Sequence, residues 1–277
     1  MKIHGMADST RYQRMTGQEL RYAFLLEGMA APGEIRLAYA VDADRAVVGM
    51  ASPLKERLAL VADPGLRAEY FLERRELGVL NIGGQGRVFV DGQAWDLENL
   101  DCLYAGRGSR RLEFESADAK TPAVYYLLSY PAHREFPTTL IRKDEANPTE
   151  IGTPEGANHR IVCKYIHLQG VRSCQLVMGV THLQSGSVWN TMPPHTHMRR
   201  SEIYMYFNLG ENDRVIHLMG PPDDTRHVVM GDREIVLSPG WSIHAGTGTR
   251  AYSFCWGMGG ENQDYADMDP VEIRDLR

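Results

Sequence analysis

The chain has 277 residues, with 30 Lys and Arg against 36 Asp and Glu, so its formal net charge is −6. A protein that binds duplex nucleic acid or an anionic membrane needs a basic surface, so this balance argues against both partners. Charged residues at 24% and hydrophobic residues at 43% are ordinary values for a globular protein. The length allows one large domain or two medium ones.

The compartment is predicted from the N-terminus and the cysteines. Residues 1–21 contain no continuous apolar segment of the length that a secretory signal needs. The longest apolar run, residues 123–128, is far shorter than the ~20 residues of a membrane-spanning helix. The cysteines are widely spaced and form no Cys-x-x-Cys pair, which favours buried reduced thiols over a zinc knuckle or a redox pair. We therefore expect a cytoplasmic protein.

Helical signals are concentrated near the N-terminus, and strand signals dominate the rest of the chain. Thr16 is a candidate N-cap, and Glu19 stands at the capping-box position of a short helix predicted over residues 16–26. Elsewhere, short runs of β-branched and aromatic residues alternate with glycine-containing turns, which is typical of hairpins. The clearest predicted strands are residues 87–90, 214–219, 235–237 and 251–256. Many short strands with few helices predict an all-β sandwich or barrel.

A polar, proline-containing stretch, residues 131–159, separates the predicted strands into two groups. Two segments of the first group match two segments of the second: residues 76–84 match 202–210, and residues 104–110 match 244–250. Each match is short, and chance similarity between glycine-rich strands is the alternative, but the matches agree in order and type. We therefore expect a duplicated β-fold, with domains at residues 1–140 and 141–277.

Residues 193–202 carry the clearest functional signal. On a strand, His195 and His197 project from the same face, about 7 Å apart along the backbone, so both rings reach one ion. Glu202 lies an odd number of positions after His197, so an unbroken strand would point it to the other face. The chain is therefore expected to turn or bulge across residues 198–201, before a strand whose polar face carries Glu202.

A fourth candidate ligand, His244, follows the turn Pro239-Gly240. Three imidazoles and one carboxylate suit Zn, Fe, Ni or Cu, and the carboxylate neutralises one unit of the cation's charge. A His-x-His pair alone is weak evidence, whereas the ordered set of His195, His197, Glu202 and His244 is much more specific. The sequence predicts a metal site from these four side chains. The alternative is a hydrogen-bonded structural cluster.

The same residues carry a resemblance to known proteins. The pattern Gly186…His195-x-His197-x4-Glu202-x7-Gly210, followed by Gly231…Pro239-Gly240-x3-His244, resembles the two motifs of the cupin superfamily. Nearly the whole chain is similar to the 5-keto-4-deoxyuronate isomerase family, also called 4-deoxy-L-threo-5-hexosulose-uronate ketol-isomerase. The stretches that carry this similarity are residues 67–78, 187–193, 225–227, 241–244, 256–258 and 260–263.

The resemblance implies both a fold and a reaction. The fold is a bicupin, two jelly-roll β-barrels with few short helices. One zinc ion per chain is held by His195, His197, Glu202 and His244, and the family is associated with homohexamers. The reaction converts 5-dehydro-4-deoxy-D-glucuronate, a small-molecule uronate of pectin breakdown, into 3-deoxy-D-glycero-2,5-hexodiulosonate.

The ligand set fits this aldose-to-ketose step on chemical grounds. Moving a carbonyl to the neighbouring carbon requires removal of an acidic C–H and stabilisation of an enediolate, and a divalent ion does the second as a Lewis acid. We expect Glu202 or a nearby polar side chain to carry the proton. Because a uronate has a carboxylate, we also expect a cation in the pocket, with Arg199, Arg200, Arg226 and His227 as candidates. The predicted catalytic residues are Glu202, Arg226 and His227.

Two other functions fit the same four ligands. A cupin oxygenase is one, because three histidines and one glutamate also suit iron or copper. A non-catalytic bicupin that binds a sugar or a metal is the other. The ligands alone do not separate these functions, and the full-length resemblance favours the isomerase.

Further residues of the second half are candidates for the wall of the pocket, and residues of the first half match the four ligands in position. His217 either lines the barrel or is a hydrogen-bonded core histidine. The aromatic residues Trp189, Tyr204 and Tyr206 either face a sugar or belong to the core. In the first half, the matches place Glu69, Phe71, Glu76 and Tyr104 opposite the four ligands. We therefore expect the N-terminal barrel to bind no metal.

Overall fold

The structure, a computed structural model, describes residues 1–261 and 264–277. Residues 262 and 263, part of one stretch that carries the family resemblance, lie outside the described residues. The helices of the described part are short: α1 (Ser9–Tyr12), α2 (Gly17–Phe24) and the 3₁₀ helices Pro64–Leu66, Lys143–Glu145 and Ile273–Asp275. No helix in these residues has both the length and the apolar character needed to cross a membrane.

Most regular elements are β-strands, as the short β-branched and aromatic runs predict. The first half contains β1 (Lys2–His4), β2 (Leu25–Leu26), β3 (Ile35–Ala40), β4 (Ala46–Ala51), β5 (Leu58–Leu60), β6 (Arg75–Asn81), β7 (Gly86–Val90), β8 (Gln93–Leu97), β9 (Cys102–Ala105), β10 (Leu112–Ser116), β11 (Tyr125–Pro131) and β12 (Thr139–Ile141). The second half contains β13 (Thr149–Ile151), β14 (Arg160–Ile166), β15 (Val177–Leu183), β16 (Trp189–Asn190), β17 (His195–Thr196), β18 (Arg200–Phe207), β19 (Val215–Gly220), β20 (Arg226–Met230), β21 (Ile235–Ser238), β22 (Ile243–Gly248), β23 (Ser253–Gly260) and β24 (Asp269–Pro270).

Each half forms a barrel from a larger and a smaller sheet. In the first half the orders are β1-β3-β4-β11-β6-β9-β12 and β5-β10-β7-β8. In the second half they are β13-β14-β15-β23-β18-β21-β2 and β16-β22-β19-β20. The two orders correspond strand for strand, so that β6 occupies the place of β18 and β9 the place of β21. This repeated connectivity confirms the predicted all-β fold of two jelly-roll barrels.

A short strand from the N-terminus completes the second barrel. Helix α2 begins as predicted, because Thr16 and Glu19 form the reciprocal hydrogen bonds of a capping box. It ends at Phe24, earlier than the predicted residue 26, because Leu25 and Leu26 pair with β21. Part of the N-terminal segment therefore belongs structurally to the second barrel. A division of the chain at residue 140 assigns that segment to the first barrel.

Alternate residues of β18 belong to different cores. Tyr204 and Tyr206 lie in the apolar core inside the second barrel. Ile203, Met205 and Phe207 pack in the core between the two barrels. This alternation confirms the prediction that one face of the strand packs and the other lines the site. It also directs Glu202 into the second barrel.

Candidate metal centre

The four predicted ligands converge between the two sheets of the second barrel. Their ligand atoms all lie within 4.8 Å of one another. Nε2 of His197 and Nε2 of His244 lie 2.8 and 2.9 Å from the same Glu202 oxygen, Oε2. Nε2 of His195 lies 3.0 Å from Nε2 of His244. The side chains meet at one point, as a shared ion requires.

Two tight turns bring the ligand-bearing segments together. The backbone N–H of Arg200 donates to the carbonyl of His197, which closes a turn directly before β18. The turn predicted across residues 198–201 is therefore confirmed. A Cβ at Gly240 would lie 3.0 to 3.2 Å from the carbonyl oxygens of His197, Met198 and Arg200. Glycine at this position lets the turn before His244 pack directly on the turn before Glu202.

The electrostatics of the cluster favour a bound cation. Burial, followed by the neighbouring His244, lowers the pKa of His195 to about 3, so its ring is neutral. Burial alone would raise the pKa of the Glu202 carboxyl, but His244 and His197 hold it well below its usual value. Nδ1 of His197 donates to the carbonyl of Arg200 at 3.0 Å, which leaves the Nε2 lone pair facing the cluster. An ionised carboxylate among imidazole lone pairs is a donor set that fits a first-row divalent ion.

Arg199 and Arg200 hold the C-terminal segment beside the cluster. Arg199 Nε donates to Asp267 at 2.8 Å. The buried Arg200 guanidinium donates to the backbone carbonyls of Asp264 and Asp267. These contacts support the pairing of β24 with β17, the strand that carries His195. The two arginines therefore position the segment around a ligand.

Arg226 and His227 lie on β20, outside the ligand cluster. The guanidinium of Arg226 donates to the carbonyls of Met15 and Gln13, and it stacks on the ring of Tyr12. The side chain of His227 is exposed. These placements do not favour the catalytic roles expected for the two residues. Both residues are candidates from the sequence because a uronate carboxylate calls for a cation in the pocket.

A polar network that the sequence did not reveal lies inside the barrel. Asn190 Nδ2 donates to the hydroxyl of Tyr252 at 2.7 Å, and the hydroxyl of Tyr206 lies 2.8 Å from Nδ1 of His217. Burial lowers the pKa of His217 to about 3, so this ring is neutral. A Cβ at Gly246 would meet both Asn190 and Tyr206 at 2.9 Å. The sequence left open whether His217 lines the barrel or is a hydrogen-bonded core histidine. In the structure it does both.

Thr191 is a second residue that the sequence did not identify. Its hydroxyl lies 3.0 Å from that of Tyr204, whose ring is 5.5 Å from the ring of His244. Its φ of 47° is left-handed, which is strained for a β-branched residue. Such strain costs about 1–3 kcal/mol and is concentrated at functional sites. Individual torsion angles leave no signal in a single sequence.

The predicted correspondence between the barrels is wrong at two ligand positions. Glu76 points out of the first barrel, because its neighbours Leu77 and Val79 lie in the core inside that barrel. Tyr104 lies on β9, which corresponds to β21, whereas His244 lies on β22. The hydroxyl of Tyr104 donates to Glu76 at 2.8 Å, so these residues meet between the barrels. A slip of one position in a strand match moves a side chain to the opposite face.

Comparisons with known proteins agree with the fold and with the family resemblance. A family model described as the KduI/IolB family matches residues 28–273. The 4-deoxy-L-threo-5-hexosulose-uronate ketol-isomerase of Lachnoclostridium phytofermentans is 49% identical over 100% of both chains. That of Halalkalibacterium halodurans is 48% identical over 96% of both chains.

Solved structures share the fold at low sequence identity. An IolB-like protein from Salmonella typhimurium has a TM-score of 0.71 at 14% identity, covering 90% of this chain and 96% of that one. Bacillus subtilis oxalate decarboxylase, a protein with Mn(II) centres, has a TM-score of 0.56 at 9% identity, covering 81% and 71%. These likenesses confirm the bicupin fold.

Proposed function

Because the chain belongs to the KduI/IolB family, we propose that it is a metal-dependent ketol-isomerase of uronate catabolism. It converts 5-dehydro-4-deoxy-D-glucuronate into 3-deoxy-D-glycero-2,5-hexodiulosonate. Relatives that match it over their full length carry the name of this isomerase. The observation that carries the proposal is the convergence of three imidazoles and one carboxylate in a chain of this family.

The proposed metal is one zinc ion per chain, held by His195, His197, Glu202 and His244. Zinc accepts nitrogen and oxygen ligands and expands its coordination readily, so substrate oxygens find a place beside four protein ligands. When bound, the ion supplies a Lewis acid that polarises a carbonyl oxygen. The first barrel offers no comparable set, because its described interior is lined by apolar residues such as Leu77 and Phe114.

The chain's own residues then have two tasks. An aldose-to-ketose conversion takes a proton from C2 and adds one at C1, and a carboxylate close to both carbons can carry it. Glu202 is the proposed carrier, since it is ionised and 4% exposed. The hydroxyls of Tyr204 and Thr191, beside His244, are placed to bind substrate oxygens.

A cytoplasmic location and a homo-oligomer, a hexamer by family resemblance, belong to the same proposal. The cysteines Cys102, Cys163 and Cys255 are buried free thiols, which suits a reducing compartment. Exposed apolar side chains near the N-terminus, such as Ile3 and Tyr22, provide surface for contacts between copies. Analytical ultracentrifugation of the purified protein measures the assembly.

The test is an assay of the purified, metal-analysed protein against 5-dehydro-4-deoxy-D-glucuronate without oxygen. We expect one zinc per chain, turnover under anaerobic conditions, loss of activity with a chelator and recovery on adding zinc. A requirement for oxygen would identify an oxygenase, and substrate binding without turnover would identify a non-catalytic bicupin. Two metals per chain would contradict the assignment of an apolar first barrel.

The route of the proton has its own measurement. Conversion in D₂O should place deuterium on the carbon that was the substrate aldehyde C1, which is the hydroxymethyl C6 of the product, if a side chain carries the proton and exchanges it with solvent. Conversion without deuterium incorporation would point to a hydride shift between the two carbons. The rate with and without zinc is compared in the same experiment.

A further inference from the structure

One arginine points into the second barrel. Arg160 begins β14 and pairs with Leu183 of β15. Leu183 lies in the core inside the barrel, and directly paired residues of an antiparallel ladder project from the same face. Val162, two positions after Arg160, lies in the same core. Strand register therefore directs the Arg160 side chain to the inside of the barrel that holds the metal cluster.

The partners of Arg160 in the structure are neutral. Its Nη1 donates to the carbonyl oxygen of Asn158 at 2.8 Å. Burial lowers its pKa, and Tyr265, Tyr204 and Tyr252 partly offset that effect. No Asp or Glu of residues 1–261 and 264–277 lies within ion-pair distance, 4.0 Å, of it. Burial lowers the pKa of Arg160, but a guanidinium stays charged in proteins. A half-buried positive charge without an anionic partner is costly unless a ligand supplies one.

The other arginines expected near the site are already engaged. Arg199 pairs with Asp267, and Arg200 donates to carbonyls of the C-terminal segment. Arg226 donates to carbonyls of the N-terminal segment. Lys164 shares the inner face of β14 with Arg160, but its ammonium lies over the ring of Tyr265, 4.6 Å from the centroid. Among these described inner-face and site-flanking cations, Arg160 is therefore the one that pairs with no carboxylate and donates to a single carbonyl.

Two connections relate Arg160 to the metal ligands. Tyr204, which partly offsets the lowering of the pKa of Arg160 by burial, has its ring 5.5 Å from that of His244. Asn158, which accepts from Arg160, donates through its own amide to the carbonyl of Met192 at 3.4 Å. Met192 lies in the loop that leads to His195. The guanidinium and the metal ligands thus face one interior, with Tyr204 between them.

We propose that Arg160 binds the carboxylate of the substrate and so selects uronates over neutral sugars. This inference rests on the proposed function, because it takes the substrate to be a uronate. In such a molecule the carboxylate and the reacting carbonyl lie at opposite ends of the carbon chain. Arginine binds a carboxylate through two parallel hydrogen bonds, which also fixes the orientation of the substrate. Binding at Arg160 would hold the carbonyl end toward His195 and His244.

The first experiment compares Arg160→Gln with the wild-type protein, both loaded with zinc. Loss of a charge-assisted contact should lower kcat/KM for 5-dehydro-4-deoxy-D-glucuronate about 10- to 100-fold, mainly through KM. The zinc content should stay unchanged, because Arg160 touches no ligand. Arg250→Gln, at an exposed arginine that pairs with Asp213 3.6 Å away, is the control and should keep wild-type constants. A KM for Arg160→Gln equal to that of the control would overturn the proposal.

A second variant and a binding measurement keep the test decisive. If Arg160→Gln does not fold, Arg160→Lys keeps the charge but loses the paired contact, and its KM should rise about tenfold. An unchanged KM in this variant also overturns the proposal.

Binding of D-glucuronate and D-glucose is measured by tryptophan fluorescence. Preference for D-glucuronate that depends on Arg160, in a protein without isomerase activity, would retain the subsite and reject the proposed function. Equal binding of both sugars by the wild-type protein would reject the subsite.

Discussion

The hydrogen bond from His197 Nδ1 to the carbonyl of Arg200 determines which ring nitrogen is available to a metal. A histidine ligand whose second nitrogen is held by a carbonyl keeps one tautomer and one orientation. The acceptor belongs to the turn that also positions Glu202 on β18. One short segment therefore provides two of the proposed ligands and the contact that orients the first of them.

Removal of one ligand should separate metal binding from folding. In His244→Ala, the zinc dissociation constant should rise by more than the 10- to 100-fold typical of outer contacts to a metal site. Where no metal is bound, Nε2 of His197 can take up a proton and donate to Glu202 2.8 Å away, because, against the effect of burial, Glu202 raises the pKa of that ring, so the barrel should remain folded. Competition with a chromophoric chelator measures the affinity, and circular dichroism monitors the fold. His133→Ala, at an exposed histidine, is the control. Wild-type zinc affinity in His244→Ala would contradict the assigned ligand set.

The convergence of the four side chains could be predicted because residue type and spacing constrain it strongly. Two histidines on one face of a strand and a carboxylate after a turn leave few other arrangements. Arg160 could not be predicted, because its position inside the barrel depends on the pairing of β14 with β15. Arg226 is the opposite case: the sequence favours it as a cation for the substrate, but in the structure its guanidinium donates to backbone carbonyls of the N-terminal segment.

At the scale of single elements, strand register decides what a repeated sequence segment does. β6 and β18 occupy the same place in their barrels, but Glu76 points outward and Glu202 points inward. The Glu76 carboxylate accepts the backbone N–H groups of Cys174, Gln175 and Leu176. The sequence match correctly paired strand β6 with strand β18 but placed Glu76 on the wrong face. Similarity over nine residues does not exclude a shift of one position, and such a shift moves every side chain to the opposite face.

The carboxylate of Glu76 should stabilise the contact between the barrels. It is fully buried and accepts charge-assisted hydrogen bonds, each contributing about 1.5–3 kcal/mol. Glu76→Gln keeps the size but loses the charge, so the free energy of unfolding should fall by about 3 kcal/mol and the melting temperature by about 5–10 °C. Differential scanning calorimetry measures the shift. Glu69→Gln, whose side chain is 84% exposed, should change the melting temperature little. Equal shifts in the two variants would show that the buried carboxylate has no special role.

For the whole molecule, a short segment links the first half of the chain to the second barrel. β2 from the N-terminus pairs with β21 of the second barrel, whereas β12 pairs with β9 of its own barrel. Strands of two or three residues have no periodic signal, so the sequence could not assign them to a sheet. The division into two barrels was predictable from the repeat, whereas these connections required the tertiary structure.

The first barrel also contacts the strand that carries Glu202. Asp44, in the turn between β3 and β4, accepts the backbone N–H and the hydroxyl of Ser201 at 2.8 and 2.6 Å. Asp44 and Arg45 adopt left-handed backbone conformations, with φ of 49° and 57°. Aspartate tolerates this conformation better than most residues. A turn of the barrel without the metal cluster thus fixes the residue next to a ligand.

Removal of this contact should weaken the metal site from a distance. Asp44→Gly keeps the left-handed turn but deletes the acceptor, so the start of β18 loses its anchor. The zinc dissociation constant should rise about tenfold, as for other outer contacts to a metal site, while KM at saturating zinc stays unchanged. Asp42→Gly is the matched control, because Asp42 lies in the same turn and accepts from Met6 instead of the second barrel. If both variants bind zinc as the wild type does, the first barrel supports the fold of the second without tuning its metal site.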